Sequence, residues 1–296
     1  MNKILFLLLA ITYTLIGCGG GNGGGYTNNS LTQLDCTGAT AFDPVTAGHA
    51  APLITDASGT SKNTTIILTH GKTAVPYAAH YLSFQTDMAA LGYKVIAPYM
   101  TWSTTTWRGS LCESMAYINQ LAQAEIDAGQ SVVLAGHSMG GAYALMYGVT
   151  QPAISLKAII TIAPGHFIHL SNNMQTTTAA DVTRAKDLEN NGMGDVLYTF
   201  VTLNNGSSQS LSTTATSYLS YHDRSRVPAI ADYASNITMP VLWMSGSNDS
   251  LTTNQNHAAL AATITSSGSD YQLIASDHLG IVALTPDAID TWLSSL

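Results

Sequence analysis

The chain predicts an α/β fold: a mostly parallel central sheet with helices on both faces. Three observations carry this. From about residue 60 onward, short β-branched runs alternate with longer helical patterns. A Gly-x-Ser-x-Gly pentapeptide sits between one such strand and the helix after it, and one long polar stretch, residues 166–238, interrupts the alternation. With 296 residues, 46% of them hydrophobic and 9% charged, one domain with a large core is the simplest fit.

Taken in order, residues 64–69 (TTIILT) read as a buried strand running into His70 and Gly71. Residues 77–91 have helical spacing and stop at Gly92; 93–97 form the next strand, closed by Pro98. A polar aromatic loop, 99–109, precedes a helix over 110–128 that stops at Gly129. Residues 131–135 are a third strand, 139–149 a helix and 156–162 a fourth strand. The stretch 166–238 is too long and polar for an ordinary connection and reads as a helical lid with a helix near 179–190, holding no strong strand before Met239. A fifth strand follows at 241–245, a helix at 254–265, a sixth strand at 271–275 and a closing helix at 286–293 with Pro at its start. No confident strand is visible between Ser30 and Gly59.

Charge and termini bound the function. Ten Lys and Arg against 18 Asp and Glu give a net charge of −8, and no basic stripe could neutralise a phosphate backbone, so nucleic acid is excluded as an expected partner. Lys3 and the short apolar run after it read as an export signal, residues 1–17, ending in Leu-Ile-Gly-Cys; this looks like a lipobox, which would acylate Cys18. Residues 18–29, mostly Gly, would then form a flexible tether, with the globular domain at 30–296. The expected location is outside the cytoplasm, with Cys18 anchored to a bacterial membrane surface on the periplasmic or cell-surface side. Cys36 and Cys112 remain as an even pair in an oxidising compartment, which points to a Cys36–Cys112 disulfide, with two free buried thiols as the alternative.

The chemistry centres on Ser138. A serine hydroxyl needs a base, a group that orients the base, and donors for an oxyanion. Gly136 and Gly140 flank Ser138 where the strand-to-helix turn is tight, and Gly141 relieves it further. Asp249, in the turn after the fifth strand, and His278, after the sixth, supply an acid and a base; Asp277 is a rival acid with poor geometry for its neighbour's ring. The N–H groups of Met139 and Lys72 are the expected oxyanion donors, the latter through its backbone rather than its side chain. His70 reads as a brace for its loop.

The motifs LTHG, AGHSMGG, VLWMSGSND and ASDH resemble the core of the α/β-hydrolase superfamily over most of residues 60–296. That resemblance implies an eight-stranded core, a Ser138 acyl-enzyme and no cofactor. Superfamily members that open epoxides or remove halogen resemble chains with Asp at the elbow, which Ser138 argues against. The expectation is a carboxylesterase or lipase-like enzyme acting on a small-molecule ester; a serine peptidase or amidase of the same fold, or a surface lipoprotein that only binds, are the alternatives. His166 and His169, three apart, could share a helical face, but no Cys, Asp or Glu joins them at metal spacing, and they read as residues of the cleft mouth. Trp102, Trp107, Tyr77 and Tyr99 line a pocket or pack its rim, and 181–189 reads as a solvated helix face.

Overall fold

The computed structural model describes residues 34, 36–150 and 154–296; Cys18 and the Gly-rich segment lie outside these. Seven strands form the main sheet: β1 (Leu53–Thr55), β2 (Thr64–Thr69), β3 (Lys94–Ala97), β4 (Ser131–His137), β5 (Ala158–Ile162), β8 (Val241–Gly246) and β9 (Asp270–Ile274). Their order is β1-β3-β2-β4-β5-β8-β9, parallel throughout except that β1 runs antiparallel on the β3 edge. The short edge strand β1 escapes sequence reading because three residues carry no period.

Helices cover both faces: α1 (Ala79–Ala90), α2 (Leu111–Asp127), α3 (Met139–Thr150) and α9 (Pro286–Leu293). Period-two alternation sends Ile67, Val132, Leu134 and Ile159 into one core and Ile66, Leu68, Val133 and Ile160 into the other. With both faces packed, every residue of β2 and of β5 is buried, which is why those strands read as continuous apolar runs. Ser110 and Glu113 start α2 with reciprocal side-chain-to-backbone hydrogen bonds, a capping box. The helix expected at 254–265 is broken instead into α7 (Ser250–Asn254) and α8 (His257–Ala261), because Asn256 between them takes the left-handed conformation, φ 50°.

The stretch after β5 is an inserted cap, and it corrects the expectation of a strandless segment. It contains α4 (Asn172–Asn190), capped by Ser171, then a hairpin of β6 (Leu197–Asn204) and β7 (Ser207–Thr214), then α5 (Ala215–His222) and α6 (Ile230–Tyr233). The hairpin turns on Asn205 and Gly206, both at positive φ, the Asn-Gly chemistry that matches a two-residue turn to the strand twist. Ala185, Phe200, Ala215, Tyr218 and Leu219 give the cap a small core of its own. Residues 181–189 are only in part a solvated face: Thr183, Arg184 and Asp187 are exposed, but Asp181 accepts from the Val201 N–H at 2.5 Å, Lys186 pairs with Asp223 at 2.9 Å, and Glu189 pairs with Arg226 at 2.5 Å.

Cys36 and Cys112 are joined in a disulfide across 76 residues of sequence, tying the N-terminal segment to the start of α2. Closing a loop of that length restricts the unfolded chain, so replacing both cysteines by Ser is expected to cost about 2 to 4 kcal/mol. Urea unfolding of the variant and of the reduced parent checks this, and coincident curves with the oxidised parent would refute it.

Candidate active site

The sheet order reverses beside β2: the chain leaves β2 for β3 on one side and returns to β4 on the other. Crevices form at such switch points, beyond the carboxyl ends of the strands. Thr69 pairs with Gly136 in register, so the loop beginning His70-Gly71-Lys72 and the turn at Ser138 start side by side.

Ser138 has φ 54°, left-handed backbone that costs a non-glycine residue strain and that its surroundings hold in place. Its carbonyl accepts from the N–H groups of Gly141, Ala142 and Gly165, at 2.9, 3.1 and 2.9 Å. The flanking glycines are required by contact rather than by φ. A Cβ on Gly136 would lie 2.1 Å from the Gly140 carbonyl oxygen, and one on Gly140 would lie 2.4 Å from that of Thr69.

Ser138 Oγ lies 3.0 Å from His278 Nε2, and His278 Nδ1 lies 2.7 Å from Asp249 Oδ2. With Nδ1–H donating to the carboxylate, Nε2 is the acceptor facing the serine hydroxyl. Asp249 also caps α7, its Oδ1 accepting from the Leu251 N–H at 2.9 Å. Burial pushes its carboxyl pKa up, yet the His278 ring and the Leu251 N–H outweigh this and hold it below the ordinary value. Asp277 turns away and accepts from the Gly280 N–H at 2.7 Å. Adjacency to His278 set Asp277 aside in the sequence, and in the structure its carboxylate faces Gly280 while that of Asp249 meets the ring.

The N–H groups of Met139 and Lys72 have no acceptor among the described residues. Both residues line a cleft of roughly 260 Å³ together with Ser138, His278, His166 and the hairpin turn at Asn204, Asn205 and Gly206. The cleft wall carries one cation, Lys72, and one carboxylate, Asp249. Met139 and His166 also border a narrow apolar pocket of roughly 30 Å³, walled by Trp102, Leu111, Tyr143, Met146 and Phe167. Trp107 instead stacks on His222, 5.6 Å between ring centroids, while Tyr77 is exposed and Tyr99 stacks on His49.

His70 braces its loop, its Nδ1–H donating to the Gly71 carbonyl and its Nε2 accepting from Ser103 Oγ at 2.7 Å. Burial drives its pKa down to about 4, so the ring is neutral. His166 and His169 donate to the carbonyls of Tyr221 and Val227, and among the described residues no group of three or more His, Cys, Asp or Glu could hold a metal.

Two residues near the site escaped sequence reading. The Gly71 N–H donates to Tyr81 Oη at 2.7 Å, Tyr81 Oη–H donates to His137 Nδ1 at 2.8 Å, and His137 Nε2–H donates to the His278 carbonyl at 2.8 Å. This buried chain joins the loop after β2 to the loop that carries His278. His137 lies inside the elbow motif, and only its position there could have drawn attention to it.

A family model described as serine aminopeptidase, S33, matches residues 109–277, more than half of the chain. No curated protein sequence matches. Among solved structures, a monoacylglycerol lipase from Paleococcus ferrophilus aligns at TM-score 0.58 and 18% identity, covering 83% of this chain and 99% of its own. The α/β-hydrolase GrgF from Penicillium sp. sh18 aligns at 0.61 and 11%, covering 82% and 93%. Est1E from Butyrivibrio proteoclasticus, determined with ferulic acid, aligns at 0.53 and 16%, covering 88% and 97%. Identities this low establish a common fold. Together with the matched family model and the parallel sheet, they identify the chain as a hydrolase of the α/β-hydrolase superfamily, belonging to the family described as serine aminopeptidase, S33.

Proposed function

We propose that the protein is a serine hydrolase that cleaves carboxylic esters through an acyl-enzyme on Ser138. The hydrogen-bonded run Ser138–His278–Asp249 carries the reading. Ser138 Oγ attacks the ester carbonyl carbon as His278 Nε2 takes its proton, and Asp249 holds the ring in the required tautomer. The developing oxyanion takes hydrogen bonds from the uncommitted N–H groups of Met139 and Lys72. Collapse expels the alcohol, which recovers the proton from His278; water then repeats the sequence and releases the acid.

The pocket beside Met139 supports a short apolar acyl or alkyl group. The pocket is narrow and walled by aromatic and aliphatic side chains, which suits a short chain better than a long one. An aminopeptidase reading draws on the family description, but binding a substrate's α-ammonium needs a free carboxylate. The cleft's one carboxylate, Asp249, is committed to His278, and the other charge on its wall is a lysine.

A fluorophosphonate probe is expected to label Ser138 in the native protein, and p-nitrophenyl acetate or butyrate to be hydrolysed well ahead of long-chain esters and of aminoacyl amides. Absence of labelling, or equal labelling of Ser138→Ala, would leave only the binding-module alternative. Export and acylation at Cys18 are proposed on the lipobox resemblance alone. Mass spectrometry of the mature N-terminus tests them, and an unlipidated start elsewhere refutes them.

A further inference from the structure

The side chain of Lys72, to which the ester mechanism gives no part, is the feature of the cleft that points to a substrate class. Lys62, Lys94, Arg184, Lys186 and Arg226 each have an acidic partner; Lys72, like Arg108, Lys157 and Arg224, has none among the described residues, and of these four it is the one on the wall of the Ser138 cleft. Its Nζ donates to the Leu203 carbonyl at 2.9 Å and to Thr202 Oγ1 at 3.2 Å, on strand β6 of the cap. Those acceptors are neutral and already oriented. His222 Nδ1–H donates to the Tyr218 carbonyl at 3.1 Å, so its Nε2 accepts the Thr202 hydroxyl at 2.8 Å, leaving Thr202 Oγ1 as an acceptor towards Lys72.

An ammonium has three N–H donors, and these two bonds leave one unused. Withdrawal from water with no counter-ion pushes the Lys72 pKa down to about 7, a cost that an arriving anion offsets. The chain as a whole carries a net charge of −8, yet the cleft wall presents this cation and no uncommitted carboxylate. The apolar pocket opens beside Met139, while Lys72, Asn204 and Asn205 form a polar wall against the cap hairpin. The cleft therefore joins an apolar pocket to a polar wall that carries one cation.

We propose that Lys72 Nζ receives an anionic group of the substrate, a carboxylate in the simplest case, so that the enzyme prefers esters with one short apolar half and one half ending in an anion. This rests on the ester hydrolase reading and adds to it a specificity-determining residue.

Two matched pairs test it, because the anion could lie on either side of the scissile bond: the mono-p-nitrophenyl ester of succinate against its methyl-capped counterpart, and 4-butyryloxybenzoate against its methyl ester. In one pair kcat/KM is expected to favour the anionic member by roughly ten- to a hundredfold, the size of a charge-assisted hydrogen bond. That ratio should fall towards one in Lys72→Met and recover in part in Lys72→Arg, whatever happens to the absolute rates. Should Lys72→Met not fold, inhibition of the parent by monomethyl succinate against dimethyl succinate reads the same contact, the anion being expected to bind more tightly. A ratio near one in both pairs, a preference that survives Lys72→Met, or equal inhibition by the two succinates overturns the inference. Turnover of the methyl-capped esters in that event leaves the hydrolase reading standing, whereas failure of every ester together with no fluorophosphonate labelling removes that reading instead.

Discussion

Ser138→Ala is expected to lower kcat on a neutral p-nitrophenyl ester by roughly 10⁴- to 10⁶-fold, with little change in melting temperature. The hydroxyl is the nucleophile of the proposed reaction, and its loss removes the acyl-enzyme route rather than weakening it. His278→Ala should cost about as much, and the double variant no more than either alone, because the two groups act as a unit. Asp249→Asn is the informative third member. Its amide oxygen can still cap α7 through the Leu251 N–H, so the fold is retained, but the partner offered to His278 Nδ1 no longer enforces the productive tautomer. A loss of roughly 10³- to 10⁴-fold is expected. Retention of more than about one per cent of the parental rate by Ser138→Ala would remove Ser138 from the chemistry.

The protein is also expected to lose stability steeply as pH falls from about 6.5 towards 4. His70, His137, His222 and His257 are buried, and burial depresses their pKa values to about 4, 3, 3 and 4. In the unfolded chain each has an ordinary imidazole pKa near 6.5. Below that value the unfolded state takes up protons that the native state refuses, so stability present above pH 6.5 drains away until each ring titrates in place. Each ring contributes a slope of up to about 1.4 kcal/mol per pH unit within its window. The depressed carboxyls of Glu189, Asp223, Asp249 and Asp290 add to the loss only as pH falls below about 5, through the ordinary carboxylate range, and Lys72 acts above pH 7. The interval between about 6.5 and 5 therefore belongs to the imidazoles. Urea unfolding midpoints across that interval measure it; a flat profile, or the slope of one proton, would show that these rings are not held neutral.

The local parts of this molecule were legible because the chemistry that makes them is local. β-Branched runs and helical spacing located the six parallel strands and the major core helices, since both periods reflect which side chains face a core. The Gly136 to Gly140 pentapeptide was legible for the same reason: the glycines are demanded by backbone contacts within the turn and with the adjacent strand. The hairpin β6–β7 carries a turn signal in Asn205-Gly206, but its Ser, Thr and Asn-rich strands offer little apolar alternation, so periodicity does not mark them.

By itself the sequence determined the order of the six parallel strands and the major core helices, the Gly-x-Ser-x-Gly turn, and the short set of later residues from which a base and an acid could come. Only the tertiary structure placed the Asp249 carboxylate on His278 Nδ1, joined the loops after β2 and β9 through Tyr81 and His137, and set Lys72, with no acidic partner among the described residues, against the cap. The reason is physical: periodicity and turn chemistry act over a few residues, whereas a hydrogen bond across 131 positions, such as Lys72 to Leu203, exists only after the sheet and cap have folded together.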